Sequence, residues 1–530
     1  MGMADSLTRP YYNRCKSLVV HWHHLPSPSD CWLIRHDVLG RVLTIDDLPD
    51  GVLIEIFDFY VGRYQYPGFR RFGAYNAKGK IESWKSLIQV CRRWRGLVLA
   101  SPRRLNLQLL YIPERSARKS LDLWPAFPLH IFGTVSEELM NNVIPGLEDR
   151  ICQINLVCPT SSSSQTENFW TAMQMPFPEL AALYLYFKVG PWPTWPYGPV
   201  LPDSFLGGSA PRLRYFYLSG IPFPGLQKLL LSATQLVKLY LHHIPPSGYV
   251  SPEAMATCLS MLTSLETLQL EFEHHLYFRK LRRLRPFPPT RSVLPTLAIF
   301  RFTGVYIYLK EFVARIDAPR LYRLSTTFSL DFSFKAAEFN QFISRTPTLG
   351  SYFDEAHLSF DSRNALVRLC QSHAESSDHR MVELETLCQK PDRQFSSMVQ
   401  TCTSYKSLRL LLTMENLYID GDLKPTFDNI NNTKWLDLLL PFTAVKNLYL
   451  SKLVSPRILR VLKELAEGST TEVFPALQYV LLEGFPPSRL VQRRISRFNS
   501  ARRLTNHPVA ISVWHRDPEW NIPWDLEVND

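Results

Sequence analysis

Cysteine, glycine and long apolar runs are all in short supply in this chain, and each shortage excludes something. Nine cysteines in 530 residues, at positions 15, 31, 91, 152, 158, 258, 370, 388 and 402, are odd in number and widely scattered. That argues against a disulfide framework and fits a reducing compartment, cytoplasmic and/or nuclear. No apolar run approaches the roughly 20 residues that cross a bilayer, so neither a membrane span nor a membrane partner is expected. A secretory layout is missing too, because Arg14 and Lys16 are followed only by Ser17 to Val20 before His21, Trp22, His23 and His24 interrupt the stretch. The 22 glycines never gather into a phosphate-cradling loop, and neither a zinc-protease helix motif nor a nucleophile elbow occurs. No catalytic residue and no cofactor are assigned, and the chain is not read as an enzyme.

Charge of one sign is scarce as well. The 59 basic and 48 acidic residues are spread over the whole length, and the net charge of +11 is a mild bias. The densest cluster, Arg279-Lys280-Leu281-Arg282-Arg283-Leu284-Arg285, runs straight into Pro286, Pro288 and Pro289. It reads as a nuclear-localisation or phosphate-binding run, or as a solvated connection; nucleic acid is not the expected partner. His242-His243 and His274-His275 lack Cys or carboxylate partners at a closed zinc spacing, so no metal ligand is assigned. Cys152 and Cys158 flank a strand-like segment and read as packing residues. Met1-Gly2-Met3-Ala4-Asp5-Ser6 matches the loose pattern for myristoylation of Gly2.

What is present begins with a helical module. From Leu48 to Tyr60 the chain reads Leu-Pro-Asp-Gly-Val-Leu-Ile-Glu-Ile-Phe-Asp-Phe-Tyr. Pro49 suits the first helical position, Asp46, Asp47 and Asp50 suit the positive end of the dipole, and Gly62 offers a stop. Val52, Ile56 and Phe59 share one stripe, Leu53, Phe57 and Tyr60 a second, and Ile54 adds a third direction, which predicts burial on two sides. A second helix is expected from about Ile81 to Leu99, with Trp84, Leu87, Ile88, Cys91, Trp94 and Val98 on one face and Lys85, Arg92, Arg93 and Arg95 on the others.

Leu48-Pro49-Asp50, then Ile56-Phe57, then Val90-Cys91-Arg92-Arg93-Trp94-Arg95 resemble, in that order, the F-box motif. The resemblance implies docking on a Skp-type adaptor and, through it, on a cullin scaffold of a ubiquitin ligase. It also implies that Leu48, Pro49, Val52, Leu53, Ile56, Phe57, Leu87, Val90, Cys91 and Trp94 form the module's core and its adaptor contact, without dividing them between the two. The insert at 61–83, carrying Tyr64, Tyr66, Phe69, Arg70, Arg71, Phe72 and Tyr75, is longer than the family's usual link. Together with Ser101-Pro102-Arg103-Arg104-Leu105 it is similar to the large F-box families of mushroom-forming fungi, a likeness extending from about residue 44 onward.

Beyond the module one pattern recurs: apolar, two variable, apolar, one variable, apolar. It occurs as Ile151-Ile154-Leu156, Leu180-Leu183-Leu185, Leu213-Phe216-Leu218, Leu236-Leu239-Leu241, Leu265-Leu268-Leu270, Leu297-Phe300-Phe302, Met414-Leu417-Ile419, Val445-Leu448-Leu450 and Leu477-Val480-Leu482. Leu321-Leu324 and Phe353-Ala356-Leu358 are weaker copies, and the pattern fades between about 360 and 410, with Ser372 to Arg380 polar enough for a loop. Successive starts from 151 to 321 lie 23 to 33 residues apart, near the period of a leucine-rich repeat. The last two apolar positions share one face of a strand, and stacked strands bury a core that no unit buries alone. Ile221, Ile244, Val305, Leu453 and Phe485 stand where a regular repeat carries Asn or Cys, which predicts an irregular array.

Between each inward pair lies one outward residue: Asn155, Tyr184, Tyr217, Tyr240, Gln269, Arg301, Tyr418 and Tyr449. On the concave face of a solenoid, Tyr184, Tyr217, Tyr240, Arg301, Tyr418 and Tyr449 are candidate substrate contacts, since tyrosine and arginine dominate recognition hot spots. Tyrosine is equally a good strand former stacking on its neighbours.

The expected fold is α+β multidomain: a small all-α F-box module followed by an irregular leucine-rich-repeat α/β solenoid. Residues 1–44 are expected as a partly disordered extension, 45–105 as the F-box with its insert at 61–83, 106–515 as the solenoid and 516–530 as a tail. The function implied is substrate recognition for a Skp-cullin-F-box ubiquitin ligase, with an unknown protein substrate. A protein-binding scaffold that keeps the F-box look outside any ligase is the alternative.

Overall fold

The computed structural model describes residues 34–35, 42–43, 45–65, 81–102, 104–112, 124, 127–158, 163–187, 200–272, 290–329, 337–350, 353–361, 363–371, 379–388, 390–421, 430–467, 473–484, 489–504 and 508–515. Gly2, the 279–285 cluster, the His274-His275 pair, Phe485, Ser372 to Asp378 and most of the 61–83 insert lie outside them. The chain divides into two units, Met1–Phe132 with Pro523–Asp530, and Gly133–Ile522.

In the first unit, α1 (Asp50–Gln65) begins where expected but runs through Gly62. One glycine costs a helix only about 1 kcal/mol against alanine, less than the following turn returns. The expected second helix is two: α2 (Trp84–Val90) and α3 (Arg92–Ala100). Between them Cys91 is extended, at φ −153 and ψ 170, and its Sγ accepts a hydrogen bond from Trp94 N–H. Cys91 thus acts as an N-cap, a backbone choice that apolar periodicity cannot reveal. Strands β1 (Leu109–Tyr111) and β2 (Leu129–Thr134) pair in parallel. Trp84, fully buried, donates its indole N–H to Gln108 O at 2.9 Å and meets the Trp124 and Phe127 rings edge-on.

The second unit carries a large, mostly parallel sheet backed by helices. Its first seven strands are β3 (Ile151–Cys158), β4 (Ala182–Phe187), β5 (Tyr215–Ser219), β6 (Lys238–Ile244), β7 (Thr267–Phe272), β8 (Ile299–Gly304) and β9 (Arg323–Ser329), and from β4 on each is parallel to the one before. The repeat pattern explains them. The first apolar residue of a unit sits at a turn, where its N–H donates to the carbonyl three residues back: Leu180, Leu213, Leu236, Leu265, Leu297 and Leu321 all do so, at 3.0–3.4 Å. The inward pairs, such as Leu183 with Leu185 and Leu268 with Leu270, are at most 1% exposed. Burying each such side chain contributes about 1.5–3 kcal/mol. Ring contacts tie this face to the helices: Phe300 meets Phe312 of the helix Tyr306–Val313 at 5.6 Å. The helices that return the chain include Pro252–Ser260, whose N-cap Ser251 accepts a hydrogen bond on its hydroxyl from Ala254 N–H at 3.2 Å.

The order then changes. Strands β10 (Glu355–Phe360), β11 (Asn364–Cys370) and β12 (Met381–Leu387) form an antiparallel meander, and it is β12, not β10, that pairs with β9. The sheet resumes in parallel from β10 to β13 (Asn416–Gly421), β14 (Asn447–Leu450), β15 (Tyr479–Glu483) and β16 (Ala510–Trp514). The segment where the repeat pattern fades is therefore two further strands and a helix, Pro391–Ser407. Of the residues replacing the repeat's Asn or Cys, Ile221, Ile244 and Val305 are buried, whereas Leu453 is 58% exposed.

Candidate functional site

Two surfaces bear the residues singled out by the sequence, one in each unit. On the helical module the structure divides ten residues that the resemblance left undivided. Leu53, Phe57, Leu87 and Trp94 are at most 6% exposed and form its interior, with the Phe57 and Trp94 rings 4.7 Å apart. Leu48, Val52, Ile56 and Cys91 are half-buried, Pro49 is exposed, and Val90 is 59% exposed. The expectation that α1 is buried on two sides does not hold within the chain. Among the side chains described, the Leu53–Phe57–Val61 stripe is enclosed and the Val52–Ile56–Phe59 stripe stays open, with Phe59 41% exposed. Phe59, named in that stripe but not among the ten, thus joins the open surface. Of the arginines expected on the other faces, Arg93 and Arg95 hold the module together. Arg93 clasps Asp50 Oδ1 through Nη2 at 2.6 Å and Nε at 3.1 Å, and donates to Leu48 O at 2.6 Å. Arg104 pairs with Glu55, and Arg95 donates to Ile88 O at 3.0 Å.

On the sheet, the outward positions fall in one continuous register across fourteen strands: Asn155, Tyr184, Tyr217, Tyr240, Gln269, Arg301, Ser325, Glu383, Arg368, His357, Tyr418, Tyr449, Leu481 and Ser512. At the amino-terminal end Tyr217 is the hub, 6.5 Å from Tyr184, 6.1 Å from Tyr240, 4.7 Å from Tyr186 and 5.0 Å from His242. His242 Nε2 lies 3.0 Å from Gln269 Oε1, and its Nδ1 lies 3.1 Å from Glu271. Tyr184 and Tyr217 are half-buried, as is Arg301, but Tyr240 is 3% exposed. An outward register does not keep Tyr240 outside: flanking rings cover it, and burial pushes its phenol, like that of Tyr186, well above the usual range.

At the other end the rings stack flat. His357 lies 4.6 Å from Tyr418 and Tyr418 lies 4.1 Å from Tyr449, while Trp514 meets Tyr449 edge-on at 5.6 Å. Between the two aromatic groups the row turns polar: Ser325 donates to Glu383 Oε1 at 2.8 Å and Arg368 Nε donates to Glu383 Oε2 at 2.6 Å. Six strand spacings of about 4.8 Å separate Tyr240 from His357. The face therefore offers two apolar contact patches with a charged strip between them. Sequence reasoning found Gln269 and Arg301 of the polar strip but missed Tyr186, Trp514, Ser325, Arg368 and Glu383, and it weighed His242 only as a metal ligand. His357 was findable as the middle position of the weak copy Phe353-Ala356-Leu358; Arg368 and Glu383 carried no such signal.

Among the described residues, Cys91, Cys152, Cys158, Cys258, Cys370, Cys388 and Cys402 form no disulfide. Cys158 is enclosed, and burial pushes its thiol up to about 12, which suits the packing role. No helix among the described residues is long and apolar enough to cross a membrane.

No protein-family model matches the chain, and no curated protein matches it. Among solved structures, the leucine-rich repeat-containing protein LegL7 from Legionella pneumophila is similar at 12% identity and a TM-score of 0.25, over 74% of this chain and 98% of that one. A likeness that weak carries no argument, and the repeat architecture rests on the strands, turns and buried pairs of this chain.

Proposed function

We propose that the chain is a substrate-recognition adaptor of a Skp-cullin-F-box ubiquitin ligase, non-enzymatic itself. On this reading it docks through the helical module and captures a protein substrate on the outward face of its sheet, in the cytoplasm or nucleus. The observation that carries the docking half is the open stripe of α1. Val52, Ile56 and Phe59, with Leu48, Pro49 and Val90, leave apolar surface uncovered on a module whose own core is already complete, and such a patch is covered by a partner. The capture half is supported by the two aromatic patches, since tyrosine and tryptophan contribute large rigid contact area with a polar tip.

Co-purification of the tagged chain from cells tests the reading. The Skp-type adaptor and cullin are expected with the unaltered chain and lost with Pro49→Ala combined with Val90→Asp, two exposed positions where the melting temperature should barely move. Adaptor that stays bound to the double variant sinks this docking surface. Absence of adaptor from the unaltered chain favours the scaffold outside any ligase, a reading supported by the enclosure of Leu53, Phe57, Leu87 and Trp94, which removes them from any contact.

A further inference from the structure

We infer that Glu355, His357 and Cys370 form a site for a divalent transition-metal ion of the zinc class on the outward face of the sheet. Glu355 and His357 are two apart on β10 and so share a face, while Cys370 is the cross-strand partner of Glu355 on β11. The donor atoms of all three lie within 4.8 Å of one another. Glu355 Oε2 is 3.6 Å from His357 Nε2 and 3.8 Å from Cys370 Sγ. Zinc–donor bonds of about 2.0–2.3 Å in a tetrahedron place neighbouring donors about 3.3–3.8 Å apart. The two edges that meet at Glu355 therefore already have close to the lengths of such a site, and the third, between His357 and Cys370, is within 4.8 Å. The imidazole–carboxylate separation is, in contrast, longer than the roughly 2.7–3.2 Å of an N–H···O hydrogen bond.

The surroundings suit a cation. Arg368, the cross-strand partner of His357, is held by Glu383 at 2.6 Å, and Asp354 adds a further carboxylate that acts on Cys370. The His357 ring lies flat on Tyr418, inclined by 4°, on a strand hydrogen-bonded on both sides, so the donors are held rather than carried on a loop. One nitrogen, one sulfur and one carboxylate select zinc-like ions over magnesium or calcium. On binding, the Cys370 thiol gives up its proton to solvent and ligates as the thiolate. Three protein donors leave the fourth position for water or for a donor group of a bound protein. This site stands independently of the ubiquitin reading.

The test is titration of the purified full chain with zinc ions, with cobalt(II) as the spectroscopic probe. One ion per chain is expected, with a thiolate-to-cobalt charge-transfer band that disappears in Cys370→Ser and persists in Cys388→Ser. Zinc affinity should fall about tenfold or more in Cys370→Ser and His357→Gln; should either variant lose its cooperative melt, Glu355→Gln takes its place. Absence of the thiolate band, or equal zinc affinity in the variants, overturns the inference. The second outcome is what ion capture by His21, His23 and His24 alone would give.

Discussion

From Ile151 to Ser329 the chain lays down one parallel strand after another, whereas from Glu355 to Leu387 it doubles back on itself, and the length of the connections accounts for the difference. Parallel neighbours need a crossover of a dozen residues or more, which the run supplies with helices and turns between strands. Between Phe360 and Asn364 only three residues intervene, and there Asp361 Oδ1 accepts from Arg363 N–H at 2.6 Å and Asn364 N–H at 2.7 Å. So short a link permits only a hairpin. The reversal also changes the face. In the run, Tyr184, Tyr217 and Tyr240 adjoin one another before the row passes to Gln269, Arg301 and Ser325; in the meander, antiparallel neighbours set Arg368 between Glu383 and His357. The parallel repeats thus carry the tyrosines and the start of the polar strip, and the doubling-back adds the Arg368–Glu383 ion pair to it.

The largest test of this contrast lies within the run. Tyr240→Ser should destabilise the chain by about 3 kcal/mol, because it opens a cavity beneath covering rings. Tyr184→Ser, at a half-buried position, should cost about 1 kcal/mol or less. Urea denaturation compares the two, and equal losses would mean that the tyrosine row is uniformly structural. Breaking the meander's turn comes next: Asp361→Ala removes two acceptor contacts and should cost about 1 kcal/mol, read as a lower denaturant midpoint with an unchanged slope.

The smallest effect concerns the charged strip. Burial raises the carboxyl of Glu385 above its ordinary 4.5, although Thr327 donates to it at 3.1 Å. A carboxyl raised in the folded state contributes stability below its unfolded value and loses that contribution as pH rises through the folded one. Glu385→Gln should therefore be stabilising by up to about 1 kcal/mol at neutral pH, with the gain vanishing near pH 4. A gain that persists at pH 4 would show that packing, not charge, is responsible.

Local chemistry by itself determined much here. The spacing of Leu183 with Leu185, Leu239 with Leu241 and their counterparts located the strands and their buried face, because a period of two leaves no other way to enclose both residues. Leu48-Pro49-Asp50 likewise marked where α1 begins. The tertiary structure decided what depends on neighbours distant in sequence. Which of the ten module residues face inward follows from the ring that meets Phe57, and that ring belongs to Trp94. That Tyr240 is covered and that Cys370 meets Glu355 and His357 turn on strand order. No periodicity encodes these, because register with a distant strand is set by the packing of the whole sheet rather than by the residues alongside.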